Sequence, residues 1–476
     1  MRSDHHLRRS RSVVRVAIAS MLASSVAFTA SSASASFGAG ALARGSRAPA
    51  APAPCPSGLG AGGEYHPLAP QRIYDSRPTS AVNETSPGAK AATPSQPTFD
   101  IGLIGLGGVP GVSADVLAVV VNITVTEPTA GGWLNAYGSG APAGLASIVN
   151  FSTQQTVPNL SIVRPGDNGR LTVKLFTQSA AGSAHVVVDV FGWFSTSCAA
   201  TRGARLVTLA PGRLLDTRTD AGRAELGQGE SIELTIRGAA LPAGGTIPTD
   251  VTGVVLNVTA INDLPGSRAT FVSVVPDPPA GGAPPSTSNL NLARGQIKPN
   301  MVIVPVGADG KIRLYNNSGT VDLAVDVAGY LQRKLDETRA GRVVPLTTPY
   351  RVFDTRESQW GAVALGPGQA EDWSFADFVG SVNIAGVAVG NQFAVIGNLT
   401  SASLTRQYPT VAANSYLTVY PSDTTRPNAS NLNIVEGAPV PNLAIMKYSA
   451  TTTVRVFNLA GYNHYLYDAS AVVLAD

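Results

Sequence analysis

From about residue 65 onward the chain is written in short apolar runs that alternate with period two, and no segment carries a 3.6-residue apolar period over three turns. The run VVVNITV is representative. It puts Val119, Val121 and Ile123 on one face of a strand, and Val120, Asn122 and Thr124 on the other. The wholly apolar face belongs to a core, and this fixes the register of the strand. Such runs recur every 8–15 positions, rich in Val, Thr and Asn, and are broken by turn formers from a stock of 49 Gly and 34 Pro. The pattern predicts an all-β protein.

The strands come in three copies. PQRIYDSR (70–77), PGRLLDTR (211–218) and PYRVFDTR (349–356) open them. Each opening is followed by the same landmarks in the same order. An N-x-T strand comes first, around Asn122, Asn257 and Asn398, and then a strand that starts on an aromatic, Trp133, Phe271 or Tyr416. Next come SIVNF, SNLNL and SNLNI. A Pro-Asn pair then falls nine positions after the last Asn, from Asn150 to Asn159, Asn291 to Asn300 and Asn433 to Asn442. A hairpin-like pair closes each copy, with Asp189, Asp326 and Asp468 at matching places. A copy of about 130 residues is long enough for its own core and too long for one propeller blade. The expected fold is therefore three tandem β-sandwich (jelly-roll-like) domains at 64–198, 205–331 and 342–476, set as closely spaced beads with short joints between them.

The order P-x-R-[LI]-x-D-[ST]-R, LNVT, SNLN, P-N-[LM], VDVAGYL resembles a repeat module of secreted actinobacterial proteins. There it stands alone, in tandem, or beside hydrolase domains such as cell-wall amidases and peptidases. The likeness covers nearly all of the mature chain and is fullest in the second copy. The first copy carries the insert TSAVNETSPGAKAATPSQP, and the third lacks the terminal Gly-aromatic pair. No activity is established for the module itself, so the resemblance implies an exported, envelope-associated accessory role and no catalysis.

The N-terminus agrees with export. Five arginines precede the apolar run VAIASMLASSVAFTA and the A-x-A site Ala33-Ser34-Ala35, which reads as a signal peptide over residues 1–35. A run of about 15 residues is short of the roughly 20 that span a bilayer. The Arg8-Arg9 pair admits a twin-arginine reading, but no strongly apolar residue follows where that signal needs one, so ordinary Sec export is expected. Residues 36–63 are an Ala/Pro/Gly-rich tether. No transmembrane segment is expected once the signal is removed. Taking five Arg from the 34 Lys+Arg, and Asp4 from the 31 Asp+Glu, leaves the mature chain at about −1, with no basic footprint for nucleic acid. Two cysteines, Cys55 and Cys198, bracket the first copy, and an oxidising compartment makes their disulfide the expectation.

The thrice-written Arg72/Asp75/Arg77, Arg213/Asp216/Arg218 and Arg351/Asp354/Arg356 admit two readings. One is a charge-assisted structural clamp; the other is a ligand site in which arginine grips carboxylates or sugar hydroxyls. Strand alternation puts Asp216 and Arg218 on one side and Arg213 on the other. The asparagines Asn150, Asn159, Asn289, Asn291, Asn300, Asn433 and Asn442 form either a hydrogen-bonding lattice or a ligand-binding face, with Asn289 and Asn291 projecting together near Phe271. Against a sugar platform, the tryptophans 133, 193, 360 and 373 do not repeat in register.

Enzyme chemistry finds little to use. His66, His185 and His464 are the only histidines after the signal and read as unrelated in repeat position. There is no G-x-S-x-G elbow, no cysteine with an obvious base, and no metal-ligand or calcium-loop pattern, so neither a metal nor any other cofactor is expected. The recurring acids could serve a glycosidase only if two of them met in an open cleft. The expectation is a secreted, extracellular or envelope-associated, non-enzymatic structural or adhesive protein. Its partner would be cell-wall polysaccharide or another envelope protein, not nucleic acid. A carbohydrate- or peptidoglycan-binding protein is the alternative, and an extracellular hydrolase the third reading.

Overall fold

A computed structural model describes residues 61–78, 98–196, 199–221, 224–278, 287–336, 338–376, 391–402, 414–435 and 439–475, with a few shorter pieces besides. Each repeat supplies the same eight strands, besides two-residue strands at Ala91–Ala92, Asn383–Ile384 and Val387–Ala388. In the first these are β1 (Tyr65–Asp75), β2 (Thr98–Gly102), β3 (Val116–Thr126), β4 (Gly132–Gly138), β5 (Val149–Phe151), β6 (Val157–Val163), β7 (Arg170–Thr177) and β8 (Ser183–Ser195). In the second they are β9 (Arg205–Asp216), β10 (Ser231–Thr235), β11 (Val251–Asn262), β12 (Thr270–Pro276), β13 (Leu290–Leu292), β14 (Gln296–Pro305), β15 (Lys311–Asn316) and β16 (Asp322–Gln332). In the third they are β17 (Val343–Asp354), β18 (Ala370–Ser374), β19 (Gln392–Ala402), β20 (Asn414–Pro421), β21 (Leu432–Val435), β22 (Val440–Lys447), β23 (Thr453–Asn458) and β24 (His464–Leu474).

The 24 equivalent strands form six small sheets with one topology written three times. The order β1-β8-β3-β6 recurs as β9-β16-β11-β14 and β17-β24-β19-β22. The order β2-β7-β4-β5 recurs as β10-β15-β12-β13 and β18-β23-β20-β21. The expectation of three tandem β-sandwich (jelly-roll-like) domains is thereby corrected. The all-β chain is a six-blade, propeller-like array of small sheets, two from each repeat, rather than a row of beads. Alternation along one strand reports which face is apolar and says nothing about what the neighbouring repeat will cover. That is how the sequence misleads here.

The alternation in VVVNITV shows the difference. Val119, Val121 and Ile123 pack within the first repeat, against Leu134, Ala136, Leu171 and Val173. Val120, on the other face, is equally buried, but in a cluster shared by all three repeats that includes Leu160, Ile162, Met301, Ile303, Leu443 and Ile445. Both faces of β3 are therefore buried, and Asn122 is buried on the face it shares with Val120. Each fully buried Val or Leu contributes about 1.5–3 kcal/mol relative to exposure, and this shared cluster cannot be divided among separate domains.

The beginnings of the three repeats also close on one another. Gly63 and Val343 exchange backbone hydrogen bonds, as do Tyr65 and Ala204, and Leu206 donates to the Gly341 carbonyl. Glu64 and Arg342, each just before the opening strand of its repeat, and Arg205, the first residue of β9, meet there. Glu64 lies 3.1 Å from Arg205 and 3.4 Å from Arg342. Arg205 is fully buried and also holds Asp336 at 2.6 Å.

Cys55 and Cys198, and with them the expected disulfide, lie outside the described residues, as do nearly all of the signal and tether segments. Only Ser10–Ser12 of the former is described, paired parallel along β18. Among the described residues, no helix is long and apolar enough to cross a membrane.

Candidate functional site

The Arg/Asp strings converge more tightly than simple alternation allows. A register shift in the β9–β16 pairing between Arg213 and Leu215 rotates the strand. Arg213 therefore faces Asp216 instead of pointing away from it, correcting the expected split. The Arg213 guanidinium reaches two carboxylates. It pairs with Asp216 through Nη1 and donates from Nε to Asp326 at 2.5 Å. Arg218 grips Asp216 from the other side through Nε and Nη2, both at 2.8 Å. The first repeat repeats this with Arg72, Asp75, Arg77 and Asp189, and the third with Arg351, Asp354, Arg356 and Asp468.

The two acids of a string differ in environment. The Arg218 hydrogen bond holds the Asp216 carboxyl below the usual range. At Asp354, burial pushes upward, and the Arg356 hydrogen bond and neighbouring guanidinium charges outweigh it, so the net shift is down. Asp189, Asp326 and Asp468 are pushed up by burial, against the pull of Arg72, Arg213 and Arg351.

The asparagines divide into three groups. Asn159, Asn300 and Asn442 are buried and bond between repeats in a cycle. Asn159 donates to Asn398 Oδ1 at 2.8 Å, Asn300 to Asn122 Oδ1 at 3.2 Å, and Asn442 to Asn257 Oδ1 at 2.7 Å. Their own carbonyls accept backbone N–H groups from the next repeat, at Leu443, Leu160 and Met301 respectively. Asn289 is buried and accepts from Val274 N–H at 2.7 Å, so it does not project beside Asn291. Only Asn150, Asn291 and Asn433 are half-buried at the repeat boundaries, each bonded to a serine three residues earlier.

Two of the histidines, expected to be unrelated in repeat position, occupy the same one. His185 and His464 each stand four residues before the closing-strand Asp, where the second repeat has Asp322. His185 meets Ser76 Oγ at 3.0 Å and His464 meets Thr355 Oγ1 at 3.2 Å, while Thr217 donates to Asp322 at 2.6 Å. The three contacts are one device written three times, tying the hydroxyl of each D-[ST]-R string to the closing strand. The shared offset from the Asp was the signal.

Where repeats abut, each sets a pair of aromatics on the outward face of its second sheet. Trp133 stacks beside Phe176 at 5.4 Å. Phe271–Tyr315 and Tyr416–Phe457 lie 6.3 and 6.2 Å apart. Phe176 is directly across from Trp133. Tyr315 and Phe457 sit on the diagonal, at a place the first repeat gives to Lys174. Comparing tryptophans alone had hidden this recurrence. At the boundary of the third and first repeats the aromatics open onto a groove of about 620 Å³. Trp133, Phe176, Asn150 and Gln178 line one side, and Arg351 and Arg356 the other. Arg351 also reaches across to the Leu145 carbonyl at 3.2 Å.

A smaller cavity of about 120 Å³ lies where Pro158, Pro299 and Pro441 of the three repeats come together. Lys298 lines it, at the position of Val157 and Val440, and donates to the carbonyls of Thr156 at 2.8 Å and Asn291 at 3.4 Å. Burial lowers its amine to about 8. Between there and the ordinary 10.5, the unfolded chain holds a proton that the folded chain has released. This group therefore adds stability as pH rises through that window. Denaturant unfolding at pH 7.5 and at pH 10 is expected to show that slope in the wild type and a weaker one in Lys298→Met. Equal slopes would contradict it.

Among the described residues, no three His, Cys, Asp or Glu side chains gather to hold a metal ion. No family model matches the chain, and no curated protein matches it. Three solved structures give partial superpositions. The tandem CBM22-1–CBM22-2 domain of Paenibacillus barcinonensis Xyn10C is 12% identical, covering 56% of this chain and 99% of its own, with a TM-score of 0.16. A structure described as the triple jelly roll fold and turret assembly in an archaeal virus is 9% identical, covering 86% and 90%, with a TM-score of 0.16. Sulfolobus Turreted Icosahedral Virus gives 9%, 86% and 91%, again with 0.16. Superpositions at this level carry no argument about what the chain binds.

Proposed function

We propose that this chain is an exported, non-enzymatic structural or adhesive protein of the cell envelope or extracellular space. The observation that carries the reading is the mutual saturation of the thrice-repeated polar residues. Asp216 and Asp326 do meet, but through Arg213, with exposures of only 5% and 1%. A glycosidase needs one carboxyl free to donate a proton and another free to attack or activate water. Here both are held by the Arg213 guanidinium, Asp216 by Arg218 as well, and Asp326 also accepts the Ser430 N–H at 3.2 Å. The strings act as clamps and the asparagines as welds, while the groove between the third and first repeats is open for contact.

Incubating the purified full chain with cell-wall material and polysaccharides tests this. The reading expects retention on the solid phase without release of reducing ends or peptides. It also expects Asp216→Asn to lower the melting temperature while leaving retention unchanged at temperatures where the variant is folded. Product release that disappears in folded Asp216→Asn would sink it.

A second reading, a carbohydrate-binding protein, is favoured by the aromatic pair Trp133–Phe176 beside Asn150 and Gln178. Flat apolar rings flanked by amides suit the faces and hydroxyl edges of sugars. Its partner would be a cell-wall polysaccharide.

A further inference from the structure

We infer that the groove between the third and first repeats is a binding site for an acidic saccharide, a sugar chain bearing carboxylates. The inference rests on the carbohydrate reading and adds the charge of the ligand. Of the two clamp arginines at the groove, Arg351 is fully engaged by Asp354, Asp468 and the Leu145 carbonyl, and Arg356 keeps one edge unspent. On the third-repeat side the groove is walled by Arg351 and Arg356. Their partners Asp354 and Asp468 are 1% and 2% exposed, so the guanidiniums face the groove and the carboxylates do not. Arg356 spends Nε and Nη2 on Asp354 at 2.8 and 2.6 Å, and its side chain stays 44% exposed. Its remaining edge can donate to an incoming carboxylate, the geometry for which arginine is suited. Beside the groove, Lys174 stands over the Trp133 ring at 5.9 Å and adds an ammonium group. No carboxylate lies among the described lining residues.

The third repeat's own aromatics are not available in the same way. Arg426 covers the Phe457 ring at 3.9 Å, so that face is already occupied by a cation. The Trp133 ring is less closely covered, with Lys174 at 5.9 Å, and among the described residues no cation lies over Phe176. The groove is therefore the place where an aromatic platform, a free guanidinium edge and a lysine amine come together.

Titration calorimetry of the full chain with an oligogalacturonate, and with its methyl-esterified neutral counterpart, tests the inference. The expected result is binding of the acid form at least tenfold tighter than the ester, weakening with added salt. Trp133→Ala and the exposed-site variant Gln178→Ala should each reduce affinity several-fold, with melting temperature confirming that they fold. Equal affinity for acid and ester would overturn the charge inference and leave the carbohydrate reading standing. Binding of neither would remove both. Acid-selective binding indifferent to both variants would place the site elsewhere and overturn the assignment to this groove.

Discussion

Replacing Asn159 with alanine is expected to lower stability by about 3–5 kcal/mol, more than an ordinary surface amide could. Asn159 is fully buried and makes three bonds. It donates to the Ile148 carbonyl at 2.7 Å and to Asn398 Oδ1 at 2.8 Å, and accepts from Leu443 N–H at 2.9 Å. The last two partners belong to the third repeat. An alanine leaves all three groups buried without this partner, and each unsatisfied group costs about 1–3 kcal/mol. Asn159→Asp is a sharper probe, because it keeps the shape. Its oxygen can still accept from Leu443, but the donor to Ile148 and Asn398 is lost and a charge is buried. Urea unfolding should rank wild type above both variants. A loss below about 1 kcal/mol would mean the amide is solvated or replaceable.

Arg213→Met is expected to cost about 3–5 kcal/mol at neutral pH and to recover part of that loss on acidification. The substitution removes the counter-charge from buried Asp326 and one of two from Asp216. Burial already raises the Asp326 pKa, and without Arg213 nothing on the guanidinium side opposes it. A raised folded pKa means that the folded state takes up a proton before the unfolded one does. The penalty is therefore present above the folded pKa and disappears as pH falls through it. In the wild type, Asp216 runs the other way. Its lowered pKa adds stability above the ordinary carboxylate range, and this is lost as pH falls. Unfolding measured from pH 7 to pH 4 should thus show the gap between wild type and Arg213→Met narrowing. A gap that stays constant would show that Asp326 does not feel the lost charge.

Much of this was legible in the sequence, at the level where sequence is local. Period-two alternation gave the strands, and the repeated landmarks gave three copies of one strand order. The burial of the Arg/Asp strings could be anticipated from charged residues set within apolar runs. The next level could not be read. In VVVNITV the polar-looking face of Asn122 and Thr124 also carries Val120, and that face turned out to be the seam between repeats. A hydrogen bond from Asn300 to Asn122 spans 178 residues, and nothing near either residue records it. Glu64, Arg205 and Arg342 illustrate the same limit. They differ in charge sign, so no repeat comparison aligns them as a motif, yet they meet because their backbones do. The bulge beside Arg213 defeated the alternation rule for a different reason. One shift in pairing register turns a side chain to the other face, and the sequence carries no separate mark for it.

Differential scanning calorimetry of the intact chain tests the welded-repeat account most directly. If the shared apolar cluster and the asparagine cycle join the three repeats, heat absorption should form a single transition, with calorimetric and van't Hoff enthalpies in agreement. Asn159→Ala should then move that whole transition to lower temperature. Two or three separable transitions, with only one of them shifted by Asn159→Ala, would contradict the account.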